Sequence, residues 1–224
     1  MTERGIIFST PMVRAILDGR KSMTRRVVKT RYPLEFCGGR GDSQDDPTQW
    51  GYGPCDPDGS WMMLRVGAYE SFDLHEIRCP YGVPGDLLYC RETYFRLPPE
   101  HRPDDHHAHY IYKADWTDGT KDVKWKSGRF MPKVAARLWL KILDVRVQRV
   151  QEISEEDVVA EGIDIGKTPY PPEEYALRDF DVDFETAYRD LWNSLNAKRG
   201  YSWEQNPWVF ALTFERAKGP AHEA

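Results

Sequence analysis

Gly19-Arg20-Lys21-Ser22-Met23-Thr24-Arg25-Arg26 is the stretch on which the reading of this chain turns. It concentrates four cations, two hydroxyls and a helix-stopping glycine where a helix hands over to a strand. Upstream, Pro11 suits a first helical turn, with Ser9 or Thr10 as N-cap. Met12, Ala15 and Ile16 form the apolar stripe, and Gly19 stands where a C-terminal glycine belongs. Downstream the chain runs extended from Met23 to Val28, so that Ser22, Thr24, Arg26 and Val28 share one face. Residues 4–9 read as a strand before the helix. A surface turn needs none of these cations and hydroxyls, whereas a site for an anionic or polar ligand uses them all.

Strand signals dominate the rest. Trp61–Val66 reads as a strand and 60–79 as an inserted hairpin. Pro84-Gly85-Asp86 is a turn that delivers the strand Leu87–Tyr94. Tyr110–Ala114 is another strand. From Ala135 to Val150 the apolar residues alternate, and the change of parity near Leu143-Asp144 predicts a bulge. Ser154 caps a short acidic helix that stops at Gly162. Phe184–Ala197 is an amphipathic helix, and Pro207–Arg216 is a last strand. Hairpins and loops, not regular crossover helices, separate the strands. The class is therefore α+β, around a curved sheet or small barrel.

The 224 residues suffice for one sizeable core. Aromatic residues make up 13% of the chain, with eight Trp, a composition that disordered chains lack. A net charge of -5 argues against indiscriminate polyanion binding but allows a local basic site. No apolar run is of membrane-spanning length, and the N-terminus has no signal-peptide pattern. The expected location is the cytoplasm, where the four cysteines stay reduced.

The spacing Gly19-x-Lys21-x-x-Thr24-x-Arg26 resembles the signature of ASCH domains, Gly-x-Lys-x-x-Glu-x-Arg, with Thr in place of the common Glu. Gly85-Asp86 before an apolar strand, the acidic helix 153–163 and the strand Trp208–Phe214 resemble the family's later landmarks. The whole chain is most similar to the longer ASCH proteins of bacteriophages and prophages. The resemblance implies a single domain over 1–224, a PUA-like small β-barrel with flanking helices, and insertions at about 31–80, 95–130 and 164–182. It also implies work on RNA, modified nucleosides or other nucleic-acid components.

The Thr variant resembles a bacterial ASCH subgroup that hydrolyses N4-acetylcytidine. By that resemblance the catalytic candidates are Lys21, Thr24 and Glu161. Amide hydrolysis needs a nucleophile, a base and a proton for the leaving amine. Thr24 offers a hydroxyl, and Lys21 can deprotonate it if neutral. Burial and the like charges of Arg20, Arg25 and Arg26 favour the neutral amine. Glu161 would handle the proton on the leaving nitrogen. Arg20, Ser22, Arg26 and Trp208 are substrate-binding candidates: the arginines for an anion, Ser22 as a substitute nucleophile, Trp208 to stack a base. The expected reaction is deacylation of an N4-acylated cytidine, with no cofactor and no metal. A non-catalytic RNA- or DNA-binding module and a metal-dependent nuclease stand as alternatives.

Two further constellations complete the reading. Lys124, Lys126, Arg129, Lys133 and Arg137, interleaved with Trp125 and Phe130, form a basic-aromatic run suited to single-stranded nucleic acid. His101, His106, His107 and His109 cluster with Asp104 and Asp105, but their spacing fits no standard zinc pattern. Cys37, Cys55, Cys79 and His75 could pin the first insertion through zinc, though their wide spacing gives that no support.

Overall fold

The computed structural model describes residues 1–29, 34–36, 60–65, 74–103, 109–117, 123–163 and 184–220, with backbone only for 34–36, 60–65 and 74–76. Strand β1 (Glu3–Ile7) leads into helix α1 (Thr10–Leu17). Ser9 is its N-cap residue but makes no side-chain cap bond, and Pro11 lies in the first turn. Val13, Ala15 and Ile16 are buried, while Met12 packs at the margin of the core. Gly19 ends the helix at φ +76°, the left-handed conformation that glycine adopts without strain. Strand β2 (Met23–Val27) follows at once.

Strands β3 (Leu34–Phe36), β4 (Ser60–Arg65) and β5 (Leu74–Arg78) form a separate antiparallel sheet, so the first insertion contains the expected hairpin with one strand added. The expected single strand Leu87–Tyr94 is instead two, β6 (Leu87–Arg91) and β7 (Tyr94–Arg96). The chain breaks at Glu92, whose carboxylate turns into the interior toward Arg137 instead of continuing the ladder. Strand β8 (Tyr110–Tyr112) pairs with β7.

Strand β9 (Trp139–Arg149), helix α2 (Glu155–Ala160), helix α3 (Phe184–Asn196) and strand β10 (Trp208–Ala217) complete the described elements. The main sheet has the order β1-β6-β9-β10-β2, with β1 parallel to β6 and the other pairs antiparallel. The bulge lies where the parity change predicts it. Thr213 pairs with Asp144 and Phe214 with Ile142, leaving Leu143 over and exposed. Leu140 and Ile142 on one side of the bulge and Val145 and Val147 on the other therefore all enter one core.

Strand β10 is buried on both faces. Trp208, Phe210, Leu212 and Phe214 join β9, Ile6, Phe8 and α1 in the largest apolar cluster. Val209 points the other way, with Val158, Tyr188, Trp192 and Trp203 beneath α2 and α3. The fold is mixed α+β, and the described strands form open sheets with no closed barrel. The two edge strands are nevertheless joined, because Arg26 on β2 donates from Nη2 to the Ile7 carbonyl on β1 at 3.0 Å. Among the described residues no helix is long and apolar enough to cross a membrane. Asp104, Asp105, His106, His107, Cys37, Cys55 and residues 164–182 lie outside the described residues.

Candidate active site

The turn after α1 places Lys21 against the end of α2. Lys21 and Glu161 form an isolated antiparallel bridge, Ser22 N–H donates to Ala160 O at 2.8 Å, and Phe214 N–H donates to Ser22 O at 2.8 Å. This short run is therefore held between the last turn of α2 and the far end of β10. Gly162 makes the approach possible. Its φ is +85°, and a Cβ there would stand 2.9 Å from Lys21 Cβ and 3.0 Å from Ala15 Cβ. Gly162→Ala is expected to cost about 2 kcal/mol, more than Gly19→Ala, where no atom lies within 4 Å. Urea unfolding of both variants checks the order.

Lys21 is only 3% exposed. Its Nζ donates to Glu161 Oε2 at 2.6 Å and to the Glu161 carbonyl at 2.7 Å. Arg25 approaches Glu161 Oε1 at 3.5 Å and pairs with Asp157, which Arg146 also holds at 3.0 Å. The result is a line of alternating charge, Lys21–Glu161–Arg25–Asp157–Arg146, that ties α2 to β2 and β9. Burial pushes the Lys21 amine below the usual lysine range, opposed by Glu161 and assisted by Arg26 and Arg25. Arg20 has no part in this shift. It is exposed, pairs with Asp18 at 2.9 Å and donates to Gly162 O at 3.3 Å, so it fastens the turn from outside.

Thr24 is 1% exposed, and its hydroxyl is buried with no hydrogen-bond partner. Strand alternation puts it on the side of Arg26, opposite Arg25. Lys21 Nζ and the Arg26 guanidinium lie 5.9 Å and 5.2 Å from the Phe8 ring centroid, whereas the Thr24 hydroxyl hydrogen-bonds to neither Lys21 nor Glu161. Ser22 does not share the environment of Thr24 as its parity suggests. It precedes the strand, its side chain is exposed, and its backbone makes the two staples.

Trp208 is not brought to this cluster. It pairs with Arg149, whose guanidinium lies 4.2 Å from its ring centroid, and its carbonyl accepts from Val28 N–H. Six strand positions separate it from Phe214, roughly 20 Å along β10. Trp192 and Trp203 are packed into the apolar cluster under α3.

Three participants are additions to the sequence reading, Phe8, Asp157 and Arg146. Asp157 had a legible signal. Asp157 and Glu161 lie one helical turn apart, and Lys21 and Arg25 share the parity of one strand face, so opposite charges at matching spacing confront each other. Phe8 lies just past the end of β1, and only the sheet order carries it to Lys21.

Among the described residues no group of three or more His, Cys, Asp or Glu is placed to hold a metal ion. The cluster joins a desolvated amine to a carboxylate that touches it, with the Arg26 guanidinium over the buried Phe8 ring and the partnerless Thr24 hydroxyl on the strand face opposite Arg25. The amine–carboxylate pair is suited to proton transfer. Comparison of the chain with models of protein families, with curated proteins and with solved structures finds no match.

Proposed function

We propose that this chain is an ASCH-domain amidohydrolase with a PUA-like barrel, which removes the acyl group from an N4-acylated cytidine or a related modified nucleoside. The resemblance of Gly19-x-Lys21-x-x-Thr24-x-Arg26 supplies the family. The joining of edge strands β1 and β2 through Arg26 supports a barrel-like curvature. The observation that carries the reaction is Lys21, a buried lysine whose amine is shifted toward neutrality while its Nζ touches Glu161.

In the proposed reaction Lys21 first yields its proton to the Glu161 carboxylate that it touches, and Thr24 Oγ1 then attacks the acyl carbonyl and passes its own proton to the freed amine. The tetrahedral adduct collapses with cleavage of the C–N4 bond. Glu161, whose Oε2 lies 2.6 Å from Lys21 Nζ, delivers its proton to the departing exocyclic nitrogen. Water then hydrolyses the threonyl ester to the free acid. The Arg26 guanidinium, half-buried over the Phe8 ring, is the group proposed to meet the polar edge of the base.

Thr24→Val separates this reading from a structural one. A buried hydroxyl with no partner costs stability, so the isosteric valine is expected to stabilise the fold by about 1 kcal/mol. In the same variant, release of cytidine from N4-acetylcytidine, followed chromatographically, is expected to fall at least ~100-fold. Full activity in the valine variant removes the nucleophile, and no cytidine release by the parent protein removes the reaction.

A further inference from the structure

The basic-aromatic run around Trp125 is sorted by the structure into two groups. Lys133 pairs with Glu3, and Arg137 pairs with Glu92 and Asp115, so neither is available to a ligand. Lys124, Lys126 and Arg129 are exposed, and no acidic partner engages them among the described residues. The turn after β8 adds two groups distant in sequence. Trp116 packs edge-on against Trp125 at 5.7 Å between ring centroids, and Lys113 stands exposed beside it. Both tryptophans remain half-buried.

The backbone brings the segments that carry these side chains together. Lys126 exchanges both backbone hydrogen bonds with Tyr94, and Lys113 N–H donates to Thr93 O. The two lysines therefore flank one short stretch of chain, roughly 10 Å apart at two strand spacings. Gly128 fixes the loop behind them, since a Cβ there would stand 2.8 Å from Arg91 O. Arg14 of α1 fastens the other side by donating to the carbonyls of Ala114, Lys113 and Trp116. Phe130, five residues after Trp125, is 72% exposed.

We propose that this surface is a platform for single-stranded nucleic acid. Bases stack on the Trp116–Trp125 pair, while Lys113, Lys124, Lys126 and Arg129 neutralise the flanking phosphates. Any base presents a ring face to stack, so the platform reads the strand and not its sequence. Helix α1 touches the platform through Arg14, and the chain reaches Lys21 in the turn that follows the helix. Naming the bound strand as the substrate, in place of a free nucleoside, rests on the proposed deacylation. The platform itself does not.

Fluorescence anisotropy of a labelled fifteen-nucleotide oligo-uridylate tests it. The parent protein is expected to bind, with affinity falling about 50-fold between 50 and 200 mM KCl if all four cations contact phosphate. Trp125→Ala should weaken binding about tenfold or more. Lys124→Gln/Lys126→Gln, which alters exposed side chains only, should lower the salt slope by about 1.4. No binding at 50 mM KCl overturns the platform, and so does binding that all these substitutions leave unchanged. Hydrolysis of free N4-acetylcytidine with no strand binding overturns the platform alone. Strand binding that responds to these substitutions, with no hydrolysis of any acylated cytidine, overturns the reaction alone.

Discussion

Glu161→Gln is expected to destabilise the fold by about 3–5 kcal/mol near neutral pH, the cost of leaving a buried charge without its partner. Among the described residues Lys21 would lose its one carboxylate partner, while Arg25 would keep Asp157. The pH dependence has a definite sign. Lys21 is already shifted down by burial, and Glu161 is what holds it up. Without Glu161 the folded protein sheds the Lys21 proton at lower pH, whereas the unfolded chain keeps it to the ordinary lysine value of 10.5. Between those limits the unfolded state binds more protons, so stability rises with pH. The variant enters this window earlier than the parent, and its deficit should shrink as pH rises from 7 to 9.5. Urea midpoints at the two pH values measure it. Lys21→Met/Glu161→Gln should recover most of the loss, because removing both members leaves no orphaned charge. A deficit that stays constant with pH would place the loss in packing and not in the lysine.

Arg137→Met is expected to cost a similar ~3–5 kcal/mol, with the opposite dependence on pH. Glu92 is 1% exposed and takes two bonds from the Arg137 guanidinium, Nε to Oε1 at 3.0 Å and Nη2 to Oε2 at 3.1 Å. That guanidinium also lies 4.0 Å from the Tyr112 ring centroid. Burial already raises the Glu92 carboxyl, opposed by Arg137. In the variant the rise is larger, so the folded state holds a proton that the unfolded chain has lost above about 4.5. Stability of the variant then falls as pH climbs through that window, and the protein should be sturdier at pH 5 than at pH 8. Thermal unfolding at both values separates the two buried pairs by the sign of their slopes. Glu92→Gln/Arg137→Met should flatten the slope.

Much of the fold is legible in local pattern. The bulge at Leu143 follows from a parity change that any reader of 135–150 can find, and Gly19 and Gly162 mark both helix ends. The break at Glu92 is not legible, because β-propensity continues through Thr93-Tyr94 and only the distant Arg137 explains the turn inward. The site divides the same way. Lys21 and Glu161 meet, as the spacing of charges on a strand and on a helix allows. Trp208 does not join them, since distance along β10 is invisible until the register with β2 is known. Ser22 shows the limit of parity arguments, which hold only once the strand has begun.

Among the described residues strand β2 has a single ladder partner, β10, the last of the described strands. Lys21 lies in the first tenth of the sequence and β10 in the last. During synthesis Lys21 and Arg25 therefore emerge well before β10, the strand that pairs with β2 and helps to enclose them. Such non-local closure slows folding. The nascent chain carries an exposed basic segment throughout that interval, and a chain that ends before β10 keeps it permanently.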